Sequence, residues 1–351
     1  MPRYRLERRQ DSEISAMTLT LVSILPPFLL GALIFLLAGS NPMEAYAEMF
    51  AGSFGNWFRF SEVIVKATPL MFTGLAVALA ARMLLWNIGC EGQLVFGGIF
   101  SAGVALFWQP YIPDALMIPV LVVSGFIGGA FWAIVPALLK SKWNVNEIVT
   151  TLMLNYVAII FMEHLFFGPW RDPMGMGFPG SAMLDGSAWM PRFFKTRIHL
   201  AFFIGLTMAM GLWFVLKKAS WGYQIDVMGN SPRAARYAGM NVSRQQALIL
   251  LISGGLAGLA GMGEVCGIHM RLQQGLAVGY GYDGIIIAFL ARLNPLAVPL
   301  VAILLGALIV GGDQLQTAMH FSSSISQVLE GAILLSILAG NVFTIYRLRR
   351  V

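Results

Sequence analysis

The sequence predicts an all-α polytopic membrane protein with about ten transmembrane helices, some of them short or broken. Of its 351 residues, 58% are hydrophobic and only 11% are charged, and the mean hydropathy is +0.74. Soluble domains carry about 25% charged residues, whereas an apolar run of about 20 residues is long enough to cross a bilayer. The 38 glycines fit the same class, because small residues let transmembrane helices approach closely.

The N-terminal tail, residues 1–16, contains four arginines and precedes an uncharged run from 17 to 38 that predicts the first span. Basic flanks stay in the cytoplasm. An amphipathic stretch, 42–62, follows. Further spans are predicted at 66–82, 86–107, 114–139, 148–168, 200–216, 247–267, 283–292, 295–312 and 325–346. Ten crossings place both termini, including the basic tail 347–351, in the cytoplasm. The single permease domain is therefore expected to occupy residues 17–346.

Two loops are assigned sides of the membrane by this count. The cytoplasmic segment is 219–244, and the external loop is 169–197. Four basic residues in the external loop count against its assignment, because the positive-inside rule favours basic loops in the cytoplasm.

The charge and the motifs exclude several functions. The formal charge of +6 comes mostly from the ends of apolar runs, so we expect contact with membrane lipid and none with nucleic acid. Cys90 and Cys266 lie far apart in or beside apolar segments, which predicts neither a disulfide nor a metal site. The chain lacks the Gly-x-x-x-x-Gly-Lys-Ser/Thr loop. We expect no directly bound cofactor; ATP and Mg²⁺ would belong to a partner.

Candidate pathway residues are polar groups inside apolar runs, where an ionisable side chain costs about 3 kcal/mol. They are Asn87, Glu91, Gln93, Asn155, Glu264 and Asp283. The first three interrupt span 86–107, and broken helices are tolerated only where they face protein or a water-filled cavity. A structural hydrogen-bond network is the alternative for the window around Glu91 and is favoured for Asn155. A gate or an external docking contact is the alternative for Glu264 and Asp283.

A short polar helix is predicted within segment 219–244. Ser231 suits the N-cap, Pro232 the first turn and Gly239 a left-handed end. Arg233 and Arg236 share one face. A candidate docking surface comprises Asn230, Ser231, Pro232, Arg233, Ala235, Arg236, Tyr237 and Gly239. The alternative is an interfacial helix with snorkelling arginines.

A possible two-fold internal repeat aligns residues 74–82 with 284–292, identical at a glycine, two alanines and an arginine. Chance similarity between two such apolar stretches remains open. Transporters often build a central site from duplicated halves with matched interruptions.

Five ordered motifs carry a family resemblance. They are WNIGCEGQ at 86–93, NEIVTTLMLNY at 146–156, GNSPRAARYAG at 229–239, SGGLAGLAG at 253–261 and GYGYDG at 279–284. Between about residues 60 and 335 the chain resembles permeases of ABC importers for nucleosides and simple sugars, a ribose-like family related to branched-chain amino acid permeases, and it is close to the nucleoside branch. It departs from the family pattern at Cys90 and at 291–294.

The resemblance implies a transmembrane subunit that imports nucleosides or simple sugars across the bacterial cytoplasmic (inner) membrane by alternating access. It also implies three partners: a cytoplasmic ABC ATPase, a second homologous permease, and an external substrate-binding lipoprotein or periplasmic protein. The helix 231–239 resembles the coupling helix that contacts the ATPase, and motif 86–93 resembles a segment near the translocation path. An ion-coupled secondary transporter or channel for a small polar solute is the alternative. A membrane-embedded enzyme is disfavoured, because the sequence shows no nucleophile–base pair or metal cluster.

Overall fold

The computed structural model describes residues 4–8, 28–37, 39–322, 324, 327–328, 331–332 and 346–350. The chain divides into two compact units. One contains Ser61–Gly306, and the other contains Met1–Phe60 together with Ala307–Val351.

Helices dominate the described residues. They are α1 (Phe28–Leu37), α2 (Pro42–Phe54), α3 (Trp57–Ala81), α4 (Cys90–Phe107), α5 (Asp114–Trp143), α6 (Glu147–Phe167), α7 (Leu200–Lys218), α8 (Ser220–Asn230), α9 (Pro232–Tyr237), α10 (Val242–Glu264), α11 (Tyr280–Leu290) and α12 (Val298–Met319). A π-helical turn, Val265–His269, continues α10. The predicted polytopic helical class is confirmed.

The number of spans is a correction. Within the described residues seven helices are long and apolar enough to cross, or eight if α1 and α2 form one bent span, rather than ten. The predicted span 283–292 corresponds to α11, whose 11 residues reach only about 16 Å against a hydrocarbon core of about 30 Å. The predicted spans 17–38 and 325–346 lie mostly outside the described residues.

Glycines explain how the larger unit packs. Gly258 of α10 lies against the backbones of both α4 and α5, where a Cβ atom would overlap the Gly125 carbonyl oxygen. Gly261, one turn later, meets the Leu94 carbonyl of α4 in the same way. The close approach of helices expected from the many glycines is therefore seen here, and it places α4, α5 and α10 in backbone contact.

The two segments of the possible repeat contact each other. Gly74 of α3 lies against Ile287 of α11, and its aligned partner Gly284 lies against Thr73. After each helix an asparagine accepts a hydrogen bond from the amide two residues further on, at 3.2 Å for both Asn87 and Asn294. The duplication itself stays a prediction, but each aligned glycine lies where the two helices contact each other.

The smaller unit contains a feature absent from the all-α prediction. Residues Tyr4–Arg8 (β1) pair antiparallel with Tyr346–Arg350 (β2). Neither five-residue segment shows the long apolar run by which helices were predicted here. In the same unit α2 packs on the later part of α12, where the Ser53 hydroxyl donates to the Ala307 carbonyl at 2.5 Å.

The loop predicted at 169–197 runs beside the end of α10. Backbone amides of Met190, Leu184 and Ser181 donate to the carbonyls of Cys266, Met270 and Leu272 at 2.9, 2.8 and 2.8 Å. These bonds satisfy carbonyls that the regular helix no longer uses. The loop therefore braces the π turn and the chain that follows it.

Candidate functional site

The predicted short helix is present as α9. The Ser231 side chain accepts from the Ala234 amide at 3.3 Å, and Pro232 occupies the first helical position. Gly239 has φ +80°, the left-handed conformation that ends helices. The capping predictions are confirmed, and α9 itself ends at Tyr237.

The side chains of α9 divide into one anchor and an outward surface. Ala235 is fully buried, so it holds α9 against its own chain rather than offering an apolar contact to a partner. Tyr237 is 94% exposed, and Arg233 and Arg236 are also exposed. The preceding Asn230 is exposed too, but its amide is bonded to the Asp226 carbonyl at 2.8 Å. A basic, aromatic surface thus projects from α9.

The segment carrying α9 is fixed through α8 to two spanning helices, α3 and α10. Arg82 at the end of α3 forms an ion pair of 3.1 Å with Asp226 of α8. The same guanidinium donates to the Leu293 carbonyl, just after α11, at 3.2 Å. Trp221 of α8 donates to Gln245 of α10 at 2.8 Å. Movement of α8 and α9 would therefore reach α3 and α10 directly, and the end of α11 through Arg82.

Asn87 and Gln93 belong to a buried network. The Asn87 amide nitrogen donates to Gln93 and to Ser253 of α10, both at 2.8 Å, and its oxygen accepts from the Gln93 amide at 3.0 Å and the Gly89 amide at 3.2 Å. Both side chains are 1% exposed. Ser253 donates onward to the Ala76 carbonyl of α3 at 2.7 Å. In this conformation Asn87 has no hydrogen-bonding capacity left for a solute.

Asn155 of α6 forms hydrogen bonds through both the oxygen and the nitrogen of its amide group. Its oxygen accepts from the Gly92 amide at 2.9 Å, and its nitrogen donates to the Ile88 carbonyl at 2.9 Å and to the Tyr282 hydroxyl at 3.2 Å. It therefore joins α6 to the beginnings of α4 and α11.

Glu91 holds the beginning of α11. Its two carboxylate oxygens accept from the backbone amides of Gly279 and Gly281 at 2.8 and 2.6 Å. A carboxylate is favourable at a helix N-terminus, where amides lack partners within the helix. Asp283 lies one turn further along α11 and is partly exposed.

Glu264 ends α10 immediately before the π turn. Its carboxylate lies 3.6 Å from His269 Nε2, and the charges of Lys66 and Arg197 act on it. The structure thus brings Glu91 and Asn155 together, because both bond to the first turn of α11. Glu264 lies near the charge of Lys66, which contacts Tyr280 in the same turn.

The predicted site residues omit five polar residues of this region: Lys66, Ser253, His269, Tyr280 and Tyr282. Lys66 has one usable signal in the sequence, a lysine within a long apolar run. His269 lies at the boundary of a predicted span, and the other three carry neutral hydroxyls, which leave no such signal in hydropathy.

The buried imidazole of His199, which follows the loop 169–197, should make stability depend on pH. It directly precedes α7, and among the described residues neither ring nitrogen has a hydrogen-bond partner. Burial, with the nearby Arg192 charge, lowers its pKa from 6.5 to about 4.

Because the unfolded state then binds a proton more readily than the folded state, we expect stability to fall between pH 6.5 and about 4, by about 3 kcal/mol. Melting temperatures of the purified protein across this pH range, compared with His199→Phe, measure the contribution. The variant should show a shallower decline. An identical pH dependence in both proteins would contradict this assignment.

The comparisons with known proteins identify the class. Residues 59–338 match the family described as the permease component of the branched-chain amino acid transport system. The chain belongs to this family, and it is therefore a translocation subunit and not an enzyme.

Relatives align over most of their length. The glucose ABC transporter permease protein TsgB13 of Haloferax volcanii is 30% identical over 337 residues, covering 93% of this chain and 88% of the relative. The guanosine ABC transporter permease protein NupP of Bacillus subtilis is 30% identical over 327 residues, covering 92% and 93%. The nucleoside ABC transporter permease protein NupB of Lactococcus lactis is 29% identical over 300 residues, covering 83% and 82%. The ion-coupled alternative is not favoured, since these relatives are ABC permeases.

Proposed function

We propose that this chain is the permease subunit of an ATP-driven importer that carries nucleosides or simple sugars across the bacterial cytoplasmic membrane. The observation that carries the proposal is the helix α9, which is capped at both ends and anchored by Ala235 while Arg233, Arg236 and Tyr237 project outward. The solute class is supported by the relatives, which are named for guanosine, nucleosides and glucose.

The energy for transport enters through α9. The sequence has no phosphate-binding loop for ATP, so a separate cytoplasmic ATPase binds ATP and Mg²⁺ and contacts the exposed face of α9. ATP binding favours one arrangement of the permease and hydrolysis another, which requires differential contacts in the two states. The contacts of α8 with α3 and α10, and the contact of Arg82 with the end of α11, transmit the change in arrangement from α9 to the membrane helices.

The remaining partners and the orientation follow from the same function. A second homologous permease completes the pathway, and an external substrate-binding lipoprotein or periplasmic protein delivers the solute. The pairing of β1 with β2 supports a position of both ends of the chain on the same side of the membrane. The basic residues at these ends and in segment 219–244 assign that side to the cytoplasm, and loop 169–197 then lies outside.

Uptake of radiolabelled guanosine and glucose by membrane vesicles tests the proposal. Vesicles containing the permeases, the ATPase and the binding protein are expected to accumulate one of these solutes only when ATP is supplied on the side of the membrane that carries the ATPase. A matched preparation without the ATPase should be inactive. Uptake driven by a proton or sodium gradient with this chain alone would overturn the proposal.

A further inference from the structure

We propose that Lys66, Glu264, His269 and Tyr280, here called the polar cluster, contact the hydroxyl groups of an uncharged solute as it crosses the membrane. This inference rests on the proposed transport function and assigns a site within it.

The cluster contains two opposite charges in spanning helices without a close ion pair between them. Lys66 Nζ lies 3.5 Å from the Tyr280 hydroxyl, and the Glu264 carboxylate lies 3.6 Å from His269 Nε2. Across residues 28–37 and 39–322, Lys66 and Glu264 make no shorter polar contact. Charges in such helices need a partner or an aqueous cavity. Here the Tyr280 hydroxyl lies at the limit of hydrogen-bond distance from Lys66, and His269 lies just beyond that distance from Glu264.

Glu91 provides the comparison within the same chain. Each of its two carboxylate oxygens accepts a short bond from a backbone amide, at 2.8 and 2.6 Å, which is the geometry of a structural contact. Glu264 retains free accepting capacity, although its side chain is only 7% exposed. The two buried carboxylates therefore have different roles, and Glu264 is the one with room for a ligand hydroxyl.

The orientation of His269 adds a donor to the cluster. With the Gln273 amide nitrogen donating to His269 Nδ1 at 3.0 Å, the ring proton of neutral His269 is on Nε2, which faces Glu264. The cluster then combines donors from Lys66 and His269 with the carboxylate acceptor. A hydroxyl group can accept from the first kind and donate to the second.

The backbone around the cluster is specialised and held in place. The helix α10 becomes a π turn between Glu264 and His269, a distortion often found at functional sites. Three backbone bonds from the loop 169–197 brace the π turn and the chain after it. Tyr280 lies between the two glycines whose amides Glu91 holds. Such support fixes binding groups before a ligand arrives.

The charge balance indicates the kind of solute. Lys66 and Glu264 together carry no formal net charge, and the nearby Arg197 is bonded to Glu62. The guanidinium of Arg271, which also acts on His269, lies over the Phe178 ring at 5.5 Å from its centroid. A charged solute would be repelled by one member of the cluster, whereas a neutral sugar ring satisfies donors and acceptor together. Lys66 is partly exposed and the His269 side chain is 20% exposed, so the cluster reaches the surface of this chain.

The test uses the complete importer in vesicles, with guanosine and glucose as probes and Glu264→Gln and Lys66→Met as variants. Because the proposed external binding protein captures the solute before the permease does, we expect the KM to change less than twofold. Each variant should lower the maximal uptake rate about tenfold, the value of one hydrogen bond. Glu163→Gln, which alters a carboxylate of α6 outside the cluster, is the matched control and should behave as the unaltered protein. Copurification of the ATPase should persist in all three.

A measurement on the unaltered chain covers the case in which a variant fails to fold. Dideoxyguanosine or deoxyglucose, supplied at saturation, should be carried more slowly than the parent solute. Equal rates for parent and analogue, or variants within twofold of the unaltered rate, would overturn the site. If the unaltered importer shows no ATP-dependent uptake of either probe, the proposed function fails instead.

Discussion

Reversing the two charges of α9, by Arg233→Glu with Arg236→Glu, is expected to abolish ATP-dependent uptake and release the ATPase from the membrane. Both arginines are exposed on a helix that its own chain holds through Ala235, so the change should leave the fold intact. The ATPase groups that accept the two arginines would then face acidic side chains. Because like charges at an interface cost several kcal/mol, we expect a loss of ATPase affinity on the order of a hundredfold. Copurification of the ATPase with the permease measures it.

The control is Lys217→Glu with Lys218→Glu. These lysines are also exposed, lie at the end of α7 and give the same change in net charge. The control should keep the ATPase bound. If both double variants lose it equally, the general charge of this face is responsible rather than α9, and if neither does, α9 is not the docking surface.

Replacing Glu91 by alanine is expected to have the second largest effect. The change leaves the amides of Gly279 and Gly281 without their acceptor in a buried site, and each unsatisfied group costs about 1–3 kcal/mol. The beginning of α11 then loses its anchor, so uptake should fall at least tenfold and the melting temperature should drop. The ATPase should still copurify, because α8 and α9 are held by Arg82 and Trp221.

Glu163→Ala, on α6, is the matched carboxylate deletion for this comparison. It should leave uptake and melting temperature close to those of the unaltered protein. Unchanged uptake in Glu91→Ala would refute a role for this window in transport.

Local sequence signals predicted the helical class and the caps of α9 correctly. Apolar runs located the seven described spans because each is set by local hydropathy. Ser231, Pro232 and Gly239 define α9 because capping depends on neighbouring residues alone. The prediction of ten spans is wrong partly at α11, because its apolar run is too short to cross the membrane.

Long-range contacts could not be predicted in the same way. Glu91 is predicted as a candidate because it interrupts an apolar run, but its partner Gly279 lies 188 residues further along the chain. The π turn at the end of α10 and the approach of Lys66 to Tyr280 depend on tertiary packing. The paired ends of the chain, β1 with β2, show no long apolar run in the sequence.

The side of the membrane on which Tyr237 lies tests the central claim most directly. The change Tyr237→Cys places a thiol at a position that is 94% exposed, whereas Cys90 and Cys266 are buried. A membrane-impermeant maleimide should label it in inside-out vesicles and not in right-side-out vesicles, and the bound ATPase should protect it. Labelling from the external medium would contradict energy entry through α9.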